Sequence, residues 1–494
     1  MPQTSNYLAF DLGAESGRAI LGRLDGTTLQ LSTLCRFANG PVRVLDGLYW
    51  DALRLFQEIR DGLSLYRREH GGQLDGIGLD TWGVDFALLG RDDQLLGNPR
   101  HYRDPRTEGM LAAAFEAVPR EEIFGQTGIQ FMEINSLYQL LAMRRQGDAA
   151  LDAAHTFLMM PDLLNFWLTG IKACEFSDAT TTQCFNPRTG DWAWDLLKRL
   201  DLPTRIFQPV VQPGTVIGPL HAGLAEEVGL GATPVMVPAC HDTGSAVAAV
   251  PAEGQDFAYI SSGTWSLMGV EVAEPVITAD SLAFNFTNEG GVCGTYRLLK
   301  NIMGLWLVQE CRRIWAAEGQ EYSYDELTQM AAEAPAFGPL VDPDAHEFLR
   351  PGDMPARISE FCRASGQRVP ASRGEVLRTA LESLALKYRW VLQRLEVMLG
   401  RRLNTIHIVG GGSQNRLLCQ LAADATNRPV VAGPVEATAA GNVLMQALGR
   451  GRLGSLADAR EVVRRSFDVV RYEPRASDRW DEAYARFLAV GREG

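Results

Sequence analysis

The sequence predicts an α/β protein of two domains, and three observations carry that expectation. At 494 residues the chain is too long for a single hydrophobic core, so two domains of about 250 residues each are expected, placed at 1–250 and 251–494. A strand–turn–strand unit rich in small residues occurs twice, at 7–23 (YLAFDLGAESGRAILGR) and again at 257–270 (FAYISSGTWSLMGV), which suggests two related domains. Elsewhere, short apolar strands repeatedly run into small, polar loops and then into helical patterns, as α/β sheets require.

The first hairpin sets the chemistry that the rest of the chain is read against. A half-apolar strand, 7–10, runs into Asp11, a loop, Gly13-Ala14-Glu15-Ser16-Gly17-Arg18, and a second strand, 19–24. Such a loop lets backbone N–H groups approach phosphate oxygens, and a carboxylate at the strand end can hold Mg2+ directly or through water. The structural alternative is a plain hairpin turn, because Gly, Asp and Ser are common turn residues. With the second hairpin facing it, the pair would form a clamp for a triphosphate.

Composition narrows the class. The formal net charge of -13, from 47 basic and 60 acidic residues, argues against a nucleic-acid surface. The eight cysteines form no CxxC pair and no His/Cys cluster, so reduced, mostly buried thiols in a cytoplasmic protein are expected. No signal peptide and no membrane-spanning apolar run is visible. An anionic ligand would have to be attracted locally, by Mg2+, loop N–H groups and a few basic side chains.

Along the chain, Asp51 is placed to cap a helix with apolar residues at Leu55, Phe56, Ile59, Leu63 and Tyr66, ended by Gly71-Gly72. A buried strand, 74–79, then delivers DTWGVDF (80–86). This is the edge of a ligand pocket at a carboxyl strand end or a tight turn around a packed indole. The loop PRHYRDPR (99–106) reads as solvated, with an anion or sugar clamp as the alternative. Residues 124–138 and 158–170 read as helical or mixed. The hydroxyl run 177–183 is either a polar strand or a loop against a polyol, and structure is the preferred reading.

The sharpest motif follows the strand 235–238: Ala239-Cys240-His241-Asp242-Thr243-Gly244. Asp242 falls at a helix N-terminus, where an aspartate can be merely a cap. The chemical alternative is a general base, since phosphoryl transfer to a hydroxyl needs a carboxylate to take its proton. In the second half, KNIMGLW (300–306) is expected to open a helix that continues through Gln309 and Arg313. Residues 373–399 form the strongest helical pattern, stopped by Gly400. A buried strand, 405–409, leads into Gly410-Gly411-Gly412 and the helix 416–426, a close-approach site for a nucleotide. Its spacing is not GxGxxG. The strand 430–435 precedes EATAAGN (436–442), the start of a small-residue helix.

Taken together, the Asp11 hairpin, DTWGVDF, HDT, SSGTWSLMG, KNIMGLW and HIVGGGSQN resemble the FGGY family of carbohydrate kinases, from residue 7 to residue 442. DTWGVDF, KNIMGLW and AGPVEATAAGN resemble the branch acting on L-rhamnulose more than those acting on glycerol or xylulose. The resemblance implies two ribonuclease-H-like domains of the actin and sugar-kinase type, with a ligand cleft between them. It implies ATP and Mg2+ as cofactors and phosphorylation of L-rhamnulose at its 1-hydroxyl in rhamnose breakdown. By motif, Asp242 would accept the proton, and Gly83, His241, Asp242 and Thr243 would line the sugar site. Asn301 would lie near the transferred phosphate, on the substrate side. Ala14, Glu15, Ser16, Gly17, Arg18, Thr264, Gln309 and Gly411 would face ATP, and Asp11 would bear on Mg2+ through water. Glu15 departs from the pattern, because relatives carry small or hydroxylated residues there. Its carboxylate must point away from the phosphates or be offset by Mg2+ or Arg18.

Two rival functions use the same features. A kinase of the same family acting on L-fuculose or L-xylulose would share base and loops and differ in a few pocket side chains. An actin-like or chaperone-like ATPase would keep the two hairpins but would need no aspartate aimed at a hydroxyl.

Overall fold

The structure, a computed structural model, describes residues 4–475 and 477–491. The chain forms two compact units that interleave in sequence: Met1–Pro251, Glu271–Leu298 and Ala437–Ser466 make the first, and Ala252–Val270, Leu299–Glu436 and Phe467–Gly494 the second. No helix among the described residues is long and apolar enough to cross a membrane.

The first unit is built on a six-stranded sheet in the order Val216–Pro219, Pro234–Met236, Gly76–Thr81, Ser5–Leu12, Ser16–Leu24, Leu29–Ala38. Ser5–Leu12 pairs antiparallel with Ser16–Leu24 and parallel with Gly76–Thr81. The central strands are covered on both faces, which is why 7–10 and 76–79 read as near-continuous apolar runs rather than alternating ones. The expected helix is Ala52–His70, with the Asp51 carboxylate accepting from Arg54 N and Gly71 closing it at φ 86°. Its Gly62 lies so near the sheet that a Cβ there would sit 2.8 Å from the Phe10 ring.

The C-terminal excursion Ala437–Gly449 returns to this first unit and packs against the helix Asp242–Ala248. The run of alanine and glycine exists for that contact: a Cβ on Gly441 would fall 1.7 Å from the Ser245 carbonyl oxygen. On its sheet-facing side, Val443 fills the space left by Gly22.

The second unit repeats the scheme. The hairpin Phe257–Ser262 and Trp265–Val272 is antiparallel, and its first strand lies parallel to Thr405–Val409, followed by Val430–Ala432 and the antiparallel Val470–Tyr472. The helix Arg373–Leu399 begins at Ser372, whose hydroxyl accepts from Glu375 N, and ends at Gly400 in the left-handed region (φ 63°). Between them run more than seven turns of apolar face.

Three expectations are corrected. Residues 300–303 do not open a helix but end the strand Tyr296–Met303, and the helix is Trp306–Ala317. Gly304 makes the break, tightly placed against Ser266, while Gly304 N and Trp306 N both donate to the Thr264 carbonyl. The hydroxyl run is not a strand: Phe176–Ala179 is one helical turn and Thr180–Thr182 a 3-10 turn, because each threonine hydroxyl donates back to a carbonyl three residues earlier. The loop 99–106 is not solvated; His101, Tyr102, Arg103 and Asp104 are all buried. Trp50 packs on His101 (4.3 Å) and on Trp82 (3.8 Å), and Asp104 accepts from Leu48 N, so the loop is held inside the fold, with Arg106 Nε buried without a hydrogen-bond partner.

Candidate active site

Strand register assembles the acids. Asp11 stands opposite Arg18 across the hairpin and opposite Asp80 on the parallel neighbour, so two carboxyl groups and a guanidinium from three strands meet at one end of the sheet. Arg18 pairs with Asp11. Asp80 is fully buried; its Oδ2 accepts from Asn442 Nδ2 at 2.5 Å, and its Oδ1 has no hydrogen-bond partner. Burial holds the Asp80 carboxyl well above the usual carboxylate range, and the negative charges of Asp11 and Asp242 push it the same way.

These residues fit a hydrated divalent cation. Carboxylates outnumber cations around Asp80, and one buried carboxylate oxygen lacks a partner. No group of three or more His, Cys, Asp or Glu among the described residues could grip a metal directly. A Mg2+ ion brought with nucleotide phosphates and bridged through water to Asp11 suits such a donor set.

Asp242 is delivered by the strand Pro234–Met236 and is the first residue of the helix Asp242–Ala248; His241, not Asp242, occupies the cap position. Its carboxylate accepts from Thr243 Oγ1 at 3.1 Å and is also held by the Thr243 backbone N–H. With 32% of its side chain exposed, Asp242 opens partly to solvent. Burial of the remainder raises its pKa, the charge of Asp11 adds to the rise, and His241 opposes it.

The loop carrying Asp242 is tied to a buried glutamate. Glu175 Oε2 accepts from Cys240 N at 3.0 Å and from Ser177 Oγ at 2.5 Å, and that hydroxyl accepts in turn from His241 N at 3.1 Å. Burial lifts the Glu175 carboxyl to about 6. His241 directs Nε2 toward Asp242 Oδ1 (3.6 Å), while Nδ1 faces Glu289 and Arg297. Thr243 is buried behind it.

Gly83 lies over the hydroxyl run: a Cβ there would meet the Thr181 side chain at 3.1 Å, and Val84 N donates to Thr181 Oγ1. Val84 itself is left-handed (φ 67°). Beneath this turn, Asp85 Oδ2 accepts from the Trp50 and Trp82 indoles and from Tyr102 N, and Oδ1 accepts from Gln139. The packed-indole reading of DTWGVDF holds for Trp82, which is buried and donates to Asp85.

The residues expected to face a nucleotide divide between the units. The loop expected at 13–18 is shorter: only Gly13, Ala14 and Glu15 form the first hairpin's turn, closed by Gly13 N donating to Ser16 O at 2.9 Å, while Ser16, Gly17 and Arg18 already belong to the second strand because Gly17 and Arg18 pair with Leu12 and Asp11. Gly17 has a packing reason to be glycine, since a Cβ would collide with the Phe37 ring at 2.2 Å. Glu15 is exposed and Arg18 is engaged by Asp11. In the second unit, Thr264 sits in the turn of the second hairpin and Gln309 on the helix Trp306–Ala317, its Oε1 buried without a hydrogen-bond partner. Of the three glycines, Gly412 is pressed against Ser262 (2.0 Å to a Cβ), whereas Gly411 faces open space. Asn301 is on the strand Tyr296–Met303.

Sequence reasoning missed Asp80, Glu175, Glu289, Arg297 and Asn442. Asp80 and Asn442 lay inside motifs already singled out. Glu175, Glu289 and Arg297 belong to no motif, and only the fold brings them to His241 and Asp242.

Each of the two units carries a hairpin beside a parallel strand, and the first presents an aspartate at a helix start. The chain belongs to the FGGY family of carbohydrate kinases: the family's N-terminal domain matches residues 6–249 and its C-terminal domain residues 258–449. It is 48% identical over 482 residues to a rhamnulokinase of Bacteroides thetaiotaomicron, covering 98% of each chain. It is also 42% identical to a rhamnulokinase of Oceanobacillus iheyensis, covering 94% and 97%. Among solved structures, a xylulose kinase from Lactobacillus acidophilus superimposes with a TM-score of 0.78 at 16% identity, covering 98% and 96%. A glycerol kinase from Plasmodium falciparum with ADP gives 0.76 at 15%, covering 98% of each. These two structures establish the fold alone.

Proposed function

We propose that this protein transfers the γ-phosphoryl group of ATP to the 1-hydroxyl of L-rhamnulose, giving L-rhamnulose 1-phosphate and ADP, in the cytoplasmic breakdown of L-rhamnose. The substrate rests on one observation, the 48% identity to a rhamnulokinase over nearly the full length of both chains. The chemistry rests on Asp242, a carboxylate at a helix start that opens partly to solvent. The base and the sugar-site residues Gly83, His241 and Thr243 fall in the domain 1–250, and the nucleotide residues divide between 1–250 (Ala14 to Arg18) and 251–494 (Thr264, Gln309 and Gly411).

Asp242 takes the proton of the 1-hydroxyl as that oxygen bonds to the γ-phosphorus; the bridging oxygen–phosphorus bond breaks and ADP leaves with its electron pair. Gly83, His241 and Thr243 orient the ketose, and Asn301 stands near the group in transfer. Residues 14–18, Thr264, Gln309 and Gly411 hold ATP. Mg2+, when bound, offsets charge on the phosphate oxygens, with Asp11 reaching it through water. With Arg18 committed to Asp11, the Glu15 carboxylate is accommodated by pointing away from the phosphates.

The test is ADP release from Mg-ATP with L-rhamnulose, L-fuculose, L-xylulose, D-xylulose, L-ribulose, glycerol or no sugar, with Asp242→Asn in parallel. Turnover confined to L-rhamnulose and lowered roughly a hundred- to ten-thousand-fold in the variant is expected. Preference for another ketose would replace the substrate and keep the mechanism. Hydrolysis indifferent to every sugar and to the substitution would point to an ATPase.

A further inference from the structure

Two buried serines flank the turn of the second hairpin. Ser262 and Ser266 pair directly across its strands, so their side chains share one face. Three segments of the second unit meet at this pair. The turn itself closes through Gly263 N donating to the Trp265 carbonyl at 2.8 Å. The break 304–306 docks on that turn, with Gly304 N and Trp306 N on the Thr264 carbonyl and Leu305 N on the Gly263 carbonyl. A Cβ on Gly304 would fall 2.5 Å from Ser266 Oγ, and one on Gly412, in the glycine loop, 2.0 Å from Ser262 Oγ. Each segment carries or adjoins a residue proposed to face the nucleotide: Thr264 in the turn, Gln309 in the first turn of the helix Trp306–Ala317, and Gly411 in the loop.

One side chain from outside these segments fixes Ser266. Tyr388, on the helix Arg373–Leu399, is fully buried, and its hydroxyl lies 2.7 Å from Ser266 Oγ, where either oxygen can donate to the other. Burial raises the tyrosine's pKa above its ordinary value, so the phenol keeps its hydrogen. A buried hydroxyl that loses its partner costs free energy and turns toward any other donor or acceptor within reach. At Ser266 that turn is taken against Gly304, which is packed on the same oxygen. The Tyr388–Ser266 bond therefore sets where the break 304–306 seats on the hairpin.

We infer that Tyr388 is a positioning residue for nucleotide binding: its hydroxyl fixes Ser266, against which the turn carrying Thr264 and the start of the helix carrying Gln309 are seated. Being fully buried, it acts through Ser266 and not on the ligand. The inference rests on the reading that Thr264 and Gln309 face ATP.

The test titrates the full chain with ADP and Mg2+ by calorimetry, without sugar, and measures KM for ATP and for the ketose. Tyr388→Phe removes one oxygen and keeps the ring. It should weaken ADP binding about fivefold to tenfold and raise KM for ATP with it, leaving KM for the ketose within about twofold. Ser266→Ala should weaken ADP binding by a similar factor, and the double variant no further than either, because both remove the same bond. Unchanged ADP affinity in Tyr388→Phe overturns the inference. So does a ketose KM that rises by the same factor, as general loosening would produce, or a double variant whose losses multiply. Should Tyr388→Phe not fold, Ser266→Ala decides by its ADP affinity and ketose KM. Gln309→Ala keeps the two readings apart. If it binds ADP as tightly as the unmodified chain, the nucleotide reading fails and the inference with it; if it binds weakly while Tyr388→Phe does not, the inference fails alone.

Discussion

At the scale of single residues, neighbours decide what a carboxylate does. Asp242 and Asp85 are both aspartates with raised pKa values, yet one is open and the other saturated. As the proposed base, Asp242 must be ionised to accept a proton, so lowering pH through its raised pKa should extinguish activity. The acid limb of kcat/KM should therefore lie above the ordinary aspartate value of about 4; a limb at or below that value would contradict the environment described for it. Asp85, pushed up to about 6 by burial, accepts four hydrogen bonds, two of them from indoles. Asp85→Ala would strand four buried donors and should cost about 3 kcal/mol or more, read as a lowered urea midpoint. An unchanged midpoint would mean that water replaces the carboxylate.

At the scale of elements, the small-residue helix Ala437–Gly449 joins a late stretch of sequence to the first hairpin's chemistry. Asn442 donates to Asp80, and Gln446 donates to Asn442 Oδ1 and to the Leu8 carbonyl. Both polar contacts depend on the helix lying close, which Gly441 permits by its 1.7 Å clearance problem with Ser245. On an exposed helix, Gly→Ala would stabilise by up to about 1 kcal/mol. Here the overlap with backbone should reverse the sign, so Gly441→Ala is expected to destabilise by about 1–3 kcal/mol and to lower kcat as the Asn442–Asp80 bond loosens. A raised melting temperature would refute the tight packing.

At the scale of the whole molecule, the first unit stores acid in its interior. Asp85 and Glu175 are each held near 6, and Asp80, Asp162 and Asp178 well above the usual range, all chiefly by burial. A carboxyl with a raised folded pKa binds its proton in the native state before the unfolded chain does. Native stability from these groups is therefore greatest in mild acid and declines as pH rises through their folded values. Urea unfolding should be more difficult at pH 5.5 than at pH 7.5, by on the order of 2 kcal/mol from Asp85 and Glu175 together. A midpoint that rises between those pH values would show that the buried carboxyls are compensated elsewhere.

Local sequence determined a good part of this protein. The hairpins, the caps at Asp51 and Ser372, the stops at Gly71 and Gly400, and the strand–glycine–helix run at 405–426 all follow from turn chemistry and periodicity acting within about ten residues. Family motifs named the residues that line the proposed site. Sequence misread the segments whose conformation depends on distant partners. Loop 99–106 is buried because Trp50 and Trp82 receive it, and 300–303 is strand because it pairs within the second sheet; the hydroxyl run is a local misreading, helical because its side chains bond their own backbone three residues back. Only the tertiary structure decided that Asp11 stands in register with Asp80, that Asn442 closes over that pair, and that Glu175, Glu289 and Arg297 hold His241 and its loop. Those are contacts between residues tens to hundreds of positions apart, and no local pattern encodes a pairing that only the folded sheet brings within hydrogen-bond reach.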